Sequence, residues 1–325
     1  MKTAVLCAFL LTVLSLPALT ASPTGKPEEV GLSAERLARI NQMIERRIAA
    51  GDLAGAVTIV ARKGKVVHHS ALGVMDLDSK KPMASSSMFR IASMTKPVIG
   101  VAAMMLVEEA KLHLNDPVSR YIPQFKDMKV ATPITTPAPG TGGRTGGPNA
   151  PPRFYTVPAA RDITIKDLLT HVSGLGSGPM GNSDIDKVAR KDGETLADYI
   201  PRLGSTSLEF QPGSRWTYSP GAGFETLGRV IEVASGQKLD QFFRTRIFDP
   251  LGMKDITFWP TDAQMPPGGT VYAPSANGLT KTATPNDRMS RNVYFRGSGG
   301  HYSTAEDYIP LGMMLANGGE LNGKR

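Results

Sequence analysis

Apolar residues recur at helical spacing through Leu37, Ile40, Met43, Ile44 and Ile48, and Ser33 stands in front of them as a candidate N-cap. Gly51 and Gly55 mark the end of the helix this predicts. Two runs with strand character follow, Val57 to Ala61 and Val66 to Ala71, joined by a turn at Lys63-Gly64. After Gly73 the two-residue period nearly vanishes, and helices and long loops are expected. From Pro97 to Val107 all eleven residues are apolar or Gly, which predicts a helix buried on every side. Pro97 is tolerated there because it falls in the first turn. Helical patterns resume at Ile165 to His171, Phe224 to Ala234, Leu239 to Phe248 and Tyr308 to Leu315.

Residues 133–152 break the pattern with six Pro and five Gly, Arg144 being the sole charge, so they read as an insertion or surface loop. The start of the chain breaks it differently. Lys2 precedes an apolar stretch from Ala4 to Leu16, and small residues around Ala18 to Ser22 offer a cleavage zone. Residues 1–21 therefore read as a signal peptide, too short for a stop-transfer span, and the protein is expected to be exported, periplasmic or secreted. No later apolar run reaches the ~20 residues a bilayer crossing needs, so the mature protein carries no stable membrane span.

The single cysteine, Cys7, lies inside that leader, so disulfides, thiolate catalysis and cysteine–metal sites are all unavailable to the mature chain. A net charge of +8 could suggest nucleic acid. The Lys and Arg residues are scattered, however, and aromatics make up only 6%. Attraction to anionic cell-envelope material fits this better, and no nucleic-acid partner is expected.

Two Ser-x-x-Lys tetrapeptides occur, Ser93-Met94-Thr95-Lys96 and Ser235-Gly236-Gln237-Lys238. In the second, Gly236 reads as a helix terminator, which would keep Ser235 and Lys238 off one helical face. In the first, residues three apart on a helix are neighbours, so Lys96 can reach the Ser93 hydroxyl. Lys96 also opens the buried helix, where desolvation disfavours its charged form. A serine at a helix N-terminus brings positive dipole and free N–H groups toward a developing oxyanion. The bland alternative is a capping serine followed by a snorkelling lysine, and spacing and burial together leave both open. No Gly-x-Ser-x-Gly elbow occurs, and the five histidines show no metal-binding spacing. His171 reads as structural.

The run Phe89-Arg90-Ile91-Ala92-Ser93-Met94-Thr95-Lys96-Pro97 closely resembles the nucleophile segment of the serine β-lactamase-like family. That family includes class C β-lactamases, penicillin-binding D,D-peptidases and family VIII esterases. The segments from Ile163 to His171, Phe248 to Met253 and Gly299 to Asp307 look like further landmarks of it, in the right order. The resemblance spans roughly residues 30–325. It implies an α+β fold of the β-lactamase/D,D-peptidase type, with an all-α subdomain and an α/β subdomain. On this reading one domain covers residues 28–325: an N-terminal helix and two strands over 28–75, then a mostly helical part over 76–310. The family's Tyr-x-Asn motif is matched by Tyr218-Ser219-Pro220, so Tyr218 joins Ser93 and Lys96 as the expected catalytic set. Pro220 departs from the pattern, since the Asn it replaces contacts the amide side chain of a lactam or peptide. The third family motif, Lys/His/Trp-Thr/Gly-Gly, is not found. Its strand would complete the sheet and supply the second oxyanion donor, so the chain reads as C-terminally truncated with an incomplete antiparallel sheet.

The resemblance thus implies a serine hydrolase working through an acyl-enzyme at Ser93, with a small ester as the first-choice substrate. A β-lactam or D-Ala-D-Ala peptide is the alternative within the same chemistry. A non-catalytic sensor or binding protein is the alternative outside it. No cofactor or metal is implied.

Overall fold

Ser33 caps the first helix, α1 (Ala34–Ala49), by accepting the Arg36 N–H at 3.2 Å. The structure is a computed structural model that describes residues 22–134, 152–261, 263–264, 271–276, 278–282 and 293–325. Residues 1–21, where a signal peptide is expected, and most of the Pro/Gly-rich segment lie outside those residues. Strands β1 (Gly55–Arg62) and β2 (Lys65–Gly73) pair antiparallel. Their connection places Lys63 and Gly64 both at positive φ, 49° and 74°, the two-residue turn whose twist suits a hairpin. At the far end the backbones nearly touch. A Cβ on Gly73 would lie 2.4 Å from the Ala54 carbonyl oxygen, so only glycine fits. Helix α1 packs on this pair, and among the described residues the pair forms a two-stranded sheet.

A two-residue strand β3 (Phe89–Arg90) leads through a 3-10 turn (Ala92–Met94) into α2 (Thr95–Glu108). Val98, Ile99, Ala102, Ala103 and Leu106 of α2 are fully buried. The helix is not enclosed on every side, as its uniform apolarity suggested, because Met104 is 44% exposed. Uniform apolarity reports average burial and cannot show which face stays open.

More strand is present than the sequence pattern revealed. Strands β4 (Lys129–Pro133) and β5 (Phe154–Pro158) pair antiparallel and bring the two ends of the Pro/Gly-rich segment together. Five residues are too few to show an alternation, so neither strand is marked by the sequence pattern. Thr164 and Asp167 form a reciprocal capping box on α3 (Ile165–Leu169). Next come α4 (Pro179–Lys187) and α5 (Leu196–Leu203), neither of them marked by the sequence pattern. The latter buries Leu196, Tyr199, Ile200 and Leu203, a stripe confined to two turns. Strand β6 (Ser207–Leu208) pairs parallel to β4.

Helix α6 (Ala222–Ser235) ends at Gly236, in the left-handed conformation. Helix α7 (Leu239–Phe243) continues through one π-helical turn (Arg244–Phe248) into α8 (Asp249–Leu251). That wide turn lets Phe242, Phe243, Ile247 and Phe248 all enter the core, where a regular helix would carry some of them outward. A hairpin of β7 (Val271–Ser275) and β8 (Gly278–Thr282) precedes β9 (Tyr302–Ser303), which pairs with β3. Helix α9 (Ala305–Ala316), capped by Thr304, closes the chain against β1. Helices α2, α3, α5, α6 and α7 share one apolar core, and the start of α2 lies at its edge.

Candidate active site

Ser93 occupies the 3-10 turn that feeds α2, immediately after Ala92. Ala92 has a φ of 45°, a left-handed conformation unfavourable for a residue with a Cβ. The turn is pinned from both sides by one residue. The His301 carbonyl accepts the Ile91 N–H at 3.0 Å, and the His301 N–H donates to Thr95 Oγ1 at 3.2 Å. Tyr308 donates its hydroxyl to the Met94 carbonyl at 2.8 Å. Ser93 itself remains exposed to solvent.

One helical turn later, Lys96 is only 7% exposed. Its Nζ donates to Ser93 Oγ at 3.1 Å, to the Pro220 carbonyl at 3.0 Å and to the Ser298 carbonyl at 2.7 Å. Three acceptors match the three N–H groups of an ammonium. The rings of Tyr218 and Phe224 flank the same nitrogen, with centroids 5.1 and 5.5 Å away. A snorkelling lysine would point its amine at water, and this one points inward.

Tyr218 arrives from far along the chain and donates its hydroxyl to Ser93 Oγ at 2.7 Å. Its acidity is increased, chiefly by the hydrogen bond to Ser93 and further by Lys96, against a smaller opposing effect of burial. The three side chains expected from the sequence therefore meet at one point. The second Ser-x-x-Lys does not assemble: Ser235 ends α6, Lys238 precedes α7, and Ser235 Oγ accepts the Gln237 N–H instead.

Two further residues shape the site, and neither was singled out for it by sequence. Glu225, on α6, is buried and accepts from Ser298 Oγ at 2.8 Å and from the Tyr294 hydroxyl. It fixes the segment whose Ser298 carbonyl holds Lys96. The available signal was a carboxylate one residue inside an apolar helical run. His171 contacts the Tyr218 ring at a centroid distance of 4.7 Å. No cluster among the described residues could hold a metal ion.

The Beta-lactamase family profile matches residues 40–325. The chain belongs to the beta-lactamase family. It is 31% identical to esterase EstB of Burkholderia gladioli over 321 residues, covering 91% of this chain and 74% of that protein. It is 28% identical to a putative D-alanyl-D-alanine carboxypeptidase of Salmonella typhimurium, covering 97% of this chain and 72% of the relative. Among solved structures, EstCE1, described as a hydrolase with promiscuous acyltransferase activity, superposes with a TM-score of 0.70 at 27% identity. That match covers 90% of this chain and 75% of the other. This beta-lactamase family member is a serine hydrolase with a mixed α and β fold of the penicillin-binding type. No described helix is long and apolar enough to cross a membrane.

Proposed function

We propose that this beta-lactamase family member is a carboxylesterase acting on small esters through an acyl-enzyme at Ser93. Ser93 Oγ attacks the ester carbonyl carbon while its proton passes to the Tyr218 phenolate, and the carbonyl π electrons move onto oxygen. The Ser93 N–H, at the positive end of the α2 dipole, helps to stabilise that oxyanion. Collapse breaks the bond to the alkoxide, which takes the proton from Tyr218. Water then attacks the acyl-enzyme and gives a proton to the same phenolate oxygen. Collapse releases the acid and expels the Ser93 alkoxide, which takes that proton back and leaves Tyr218 as the phenolate. Lys96 Nζ, hydrogen-bonded to Ser93 Oγ and set against the Tyr218 ring, lowers the cost of negative charge on both.

The observation that carries the ester reading is Pro220. Its carbonyl supports Lys96 at 3.0 Å, and its side chain has no hydrogen-bond donor to offer an amide. An ester with no side-chain amide loses nothing by this. The esterase EstB relative supports the same reading. The test is a paired assay of the purified chain on p-nitrophenyl butyrate and on a chromogenic cephalosporin. Ester turnover with a much larger kcat/KM supports the proposal, and efficient cephalosporin turnover with little esterase activity would refute it.

A further inference from the structure

His171 follows Thr170, the C-cap of α3, and has a φ of 59°. A left-handed residue just past a helix end is ordinarily Gly or Asn, because a larger side chain is strained there. A histidine in that position invites the question of what its side chain does. Its carbonyl accepts the Thr217 N–H at 3.1 Å, and its ring Nδ1 accepts the Ser219 N–H at 3.1 Å. Tyr218 lies between those two donors. The imidazole also leans on the Tyr218 ring, 4.7 Å between centroids, and on Phe224 at 5.1 Å. One residue thus grips the chain before and after the phenol and supports its ring.

The hydrogen bonding also decides the protonation state. A backbone N–H can only donate, so Nδ1 must present a lone pair, and the ring proton sits on Nε2. An imidazolium would carry a proton on Nδ1 and lose the bond to Ser219. We propose that His171 is a positioning residue for Tyr218, holding the phenol against Ser93 only while its ring is neutral. This rests on the assignment of Tyr218 as the proton acceptor.

Burial, and after it the Lys96 ammonium, hold the imidazole below its usual range. The titratable groups facing the ring are Lys96 from α2 and Tyr218 from the segment before α6. Glu225 of α6 is turned to Ser298 and Tyr294, and Asp167 of α3 is committed to Arg161 and the Thr164 N–H. No described carboxylate is placed to favour the imidazolium. Protonating His171 puts a second cation beside Lys96 while releasing Ser219.

Two variants separate positioning from a merely structural role. In His171→Leu the acceptor is gone. In His171→Asn the left-handed backbone is tolerated, and Oδ1 stands where Nδ1 stood, so it can accept the Ser219 N–H without titrating. On p-nitrophenyl butyrate, His171→Leu is expected to lose about 10²-fold in kcat with KM changed far less, as a misplaced reacting group does. His171→Asn is expected to recover most of that loss.

The pH profile is the decisive readout. For the unmodified chain, log kcat should fall on the acid side with a slope of one from Tyr218, steepening toward two once His171 protonates. In His171→Asn the slope should stay at one, with circular dichroism confirming an intact fold at each pH. A His171→Leu variant with unaltered kcat, or a His171→Asn variant with the same steepening, would overturn the inference. If His171→Leu does not fold, the His171→Asn profile decides alone. Failure of the base assignment looks different: Tyr218→Phe would then retain full turnover, whatever the His171 variants do.

Discussion

The phenol of Tyr218 donates to the hydroxyl of Ser93 at 2.7 Å, although 125 residues separate them in the chain. Each partner of that bond is also tied to Lys96, so the three groups share one local field. Once the phenol has lost its proton, the Ser93 hydroxyl faces an acceptor 2.7 Å away.

Replacing Tyr218 by Phe keeps the ring and removes only the acceptor. Turnover of p-nitrophenyl butyrate is expected to fall about 10²–10⁴-fold, with KM little changed. Because the hydrogen bond to Ser93, aided by Lys96, makes the phenol more acidic, the phenolate is populated at lower pH than for a free tyrosine. The ascending limb of kcat/KM should lie below pH ~10, the ordinary phenol value. A limb at or above that value would separate catalysis from Tyr218.

Glu225 is expected to act on stability and turnover together. Glu225→Ala leaves the hydroxyls of Tyr294 and Ser298 without their shared acceptor, a cost of about 1–3 kcal/mol per buried group. It also frees the segment whose carbonyl holds Lys96 at 2.7 Å. Urea unfolding and ester turnover should both decline. A variant that loses stability but keeps full kcat would show that the Ser298 carbonyl does not depend on Glu225.

His301 makes the fold sensitive to acid. Its ring is fully buried among Phe243, Phe248 and Phe258, with neither nitrogen hydrogen-bonded. Burial, with a smaller contribution from Arg244, pushes its pKa down from 6.5 to about 3. The unfolded chain takes up a proton near pH 6.5 and the folded chain does not, so stability is full above 6.5 and is lost as pH falls toward 3. At pH 5 the loss is about 2 kcal/mol. In His301→Leu that dependence should disappear, and the difference in unfolding free energy between pH 7.5 and pH 5 should shrink by that amount. An unchanged difference would mean that the ring gains a partner or water in solution.

How much of this was legible in the sequence depended on how local the cause was. Ser33, Lys63-Gly64 and the apolar run after Lys96 act within a few residues, and the elements they specify formed where the pattern placed them. Strands β4 and β5 are held by each other across a long segment, which no short window reveals. The same contrast runs through the site. Ser93 and Lys96 sit one helical turn apart, but spacing and burial left a capping serine equally open, and the family resemblance decided between the two. The place of Tyr218 came from a family resemblance. Glu225 acts through the hydroxyls of Tyr294 and Ser298 and His171 through the Ser219 N–H, all on distant segments, so nothing in their own surroundings marks them. His171 in particular looked like an ordinary residue at a helix end.

Pro220 offers a test of specificity. Pro220→Asn would restore a side-chain amide beside Lys96 while the backbone carbonyl can still accept from it. The ratio of cephalosporin to ester turnover is expected to rise about tenfold or more, the scale of one hydrogen bond to a bound amide. An unchanged ratio would place the ester preference elsewhere in the site.

The hydrolase chemistry itself is tested most directly by mass spectrometry of the full chain during turnover of p-nitrophenyl butyrate. A quenched sample should carry one butyryl group on the peptide containing Ser93, and Ser93→Ala should carry none and release no nitrophenol above background. Nitrophenol release by Ser93→Ala at the original rate, or an acyl group on a different residue, would contradict the acyl-enzyme at Ser93.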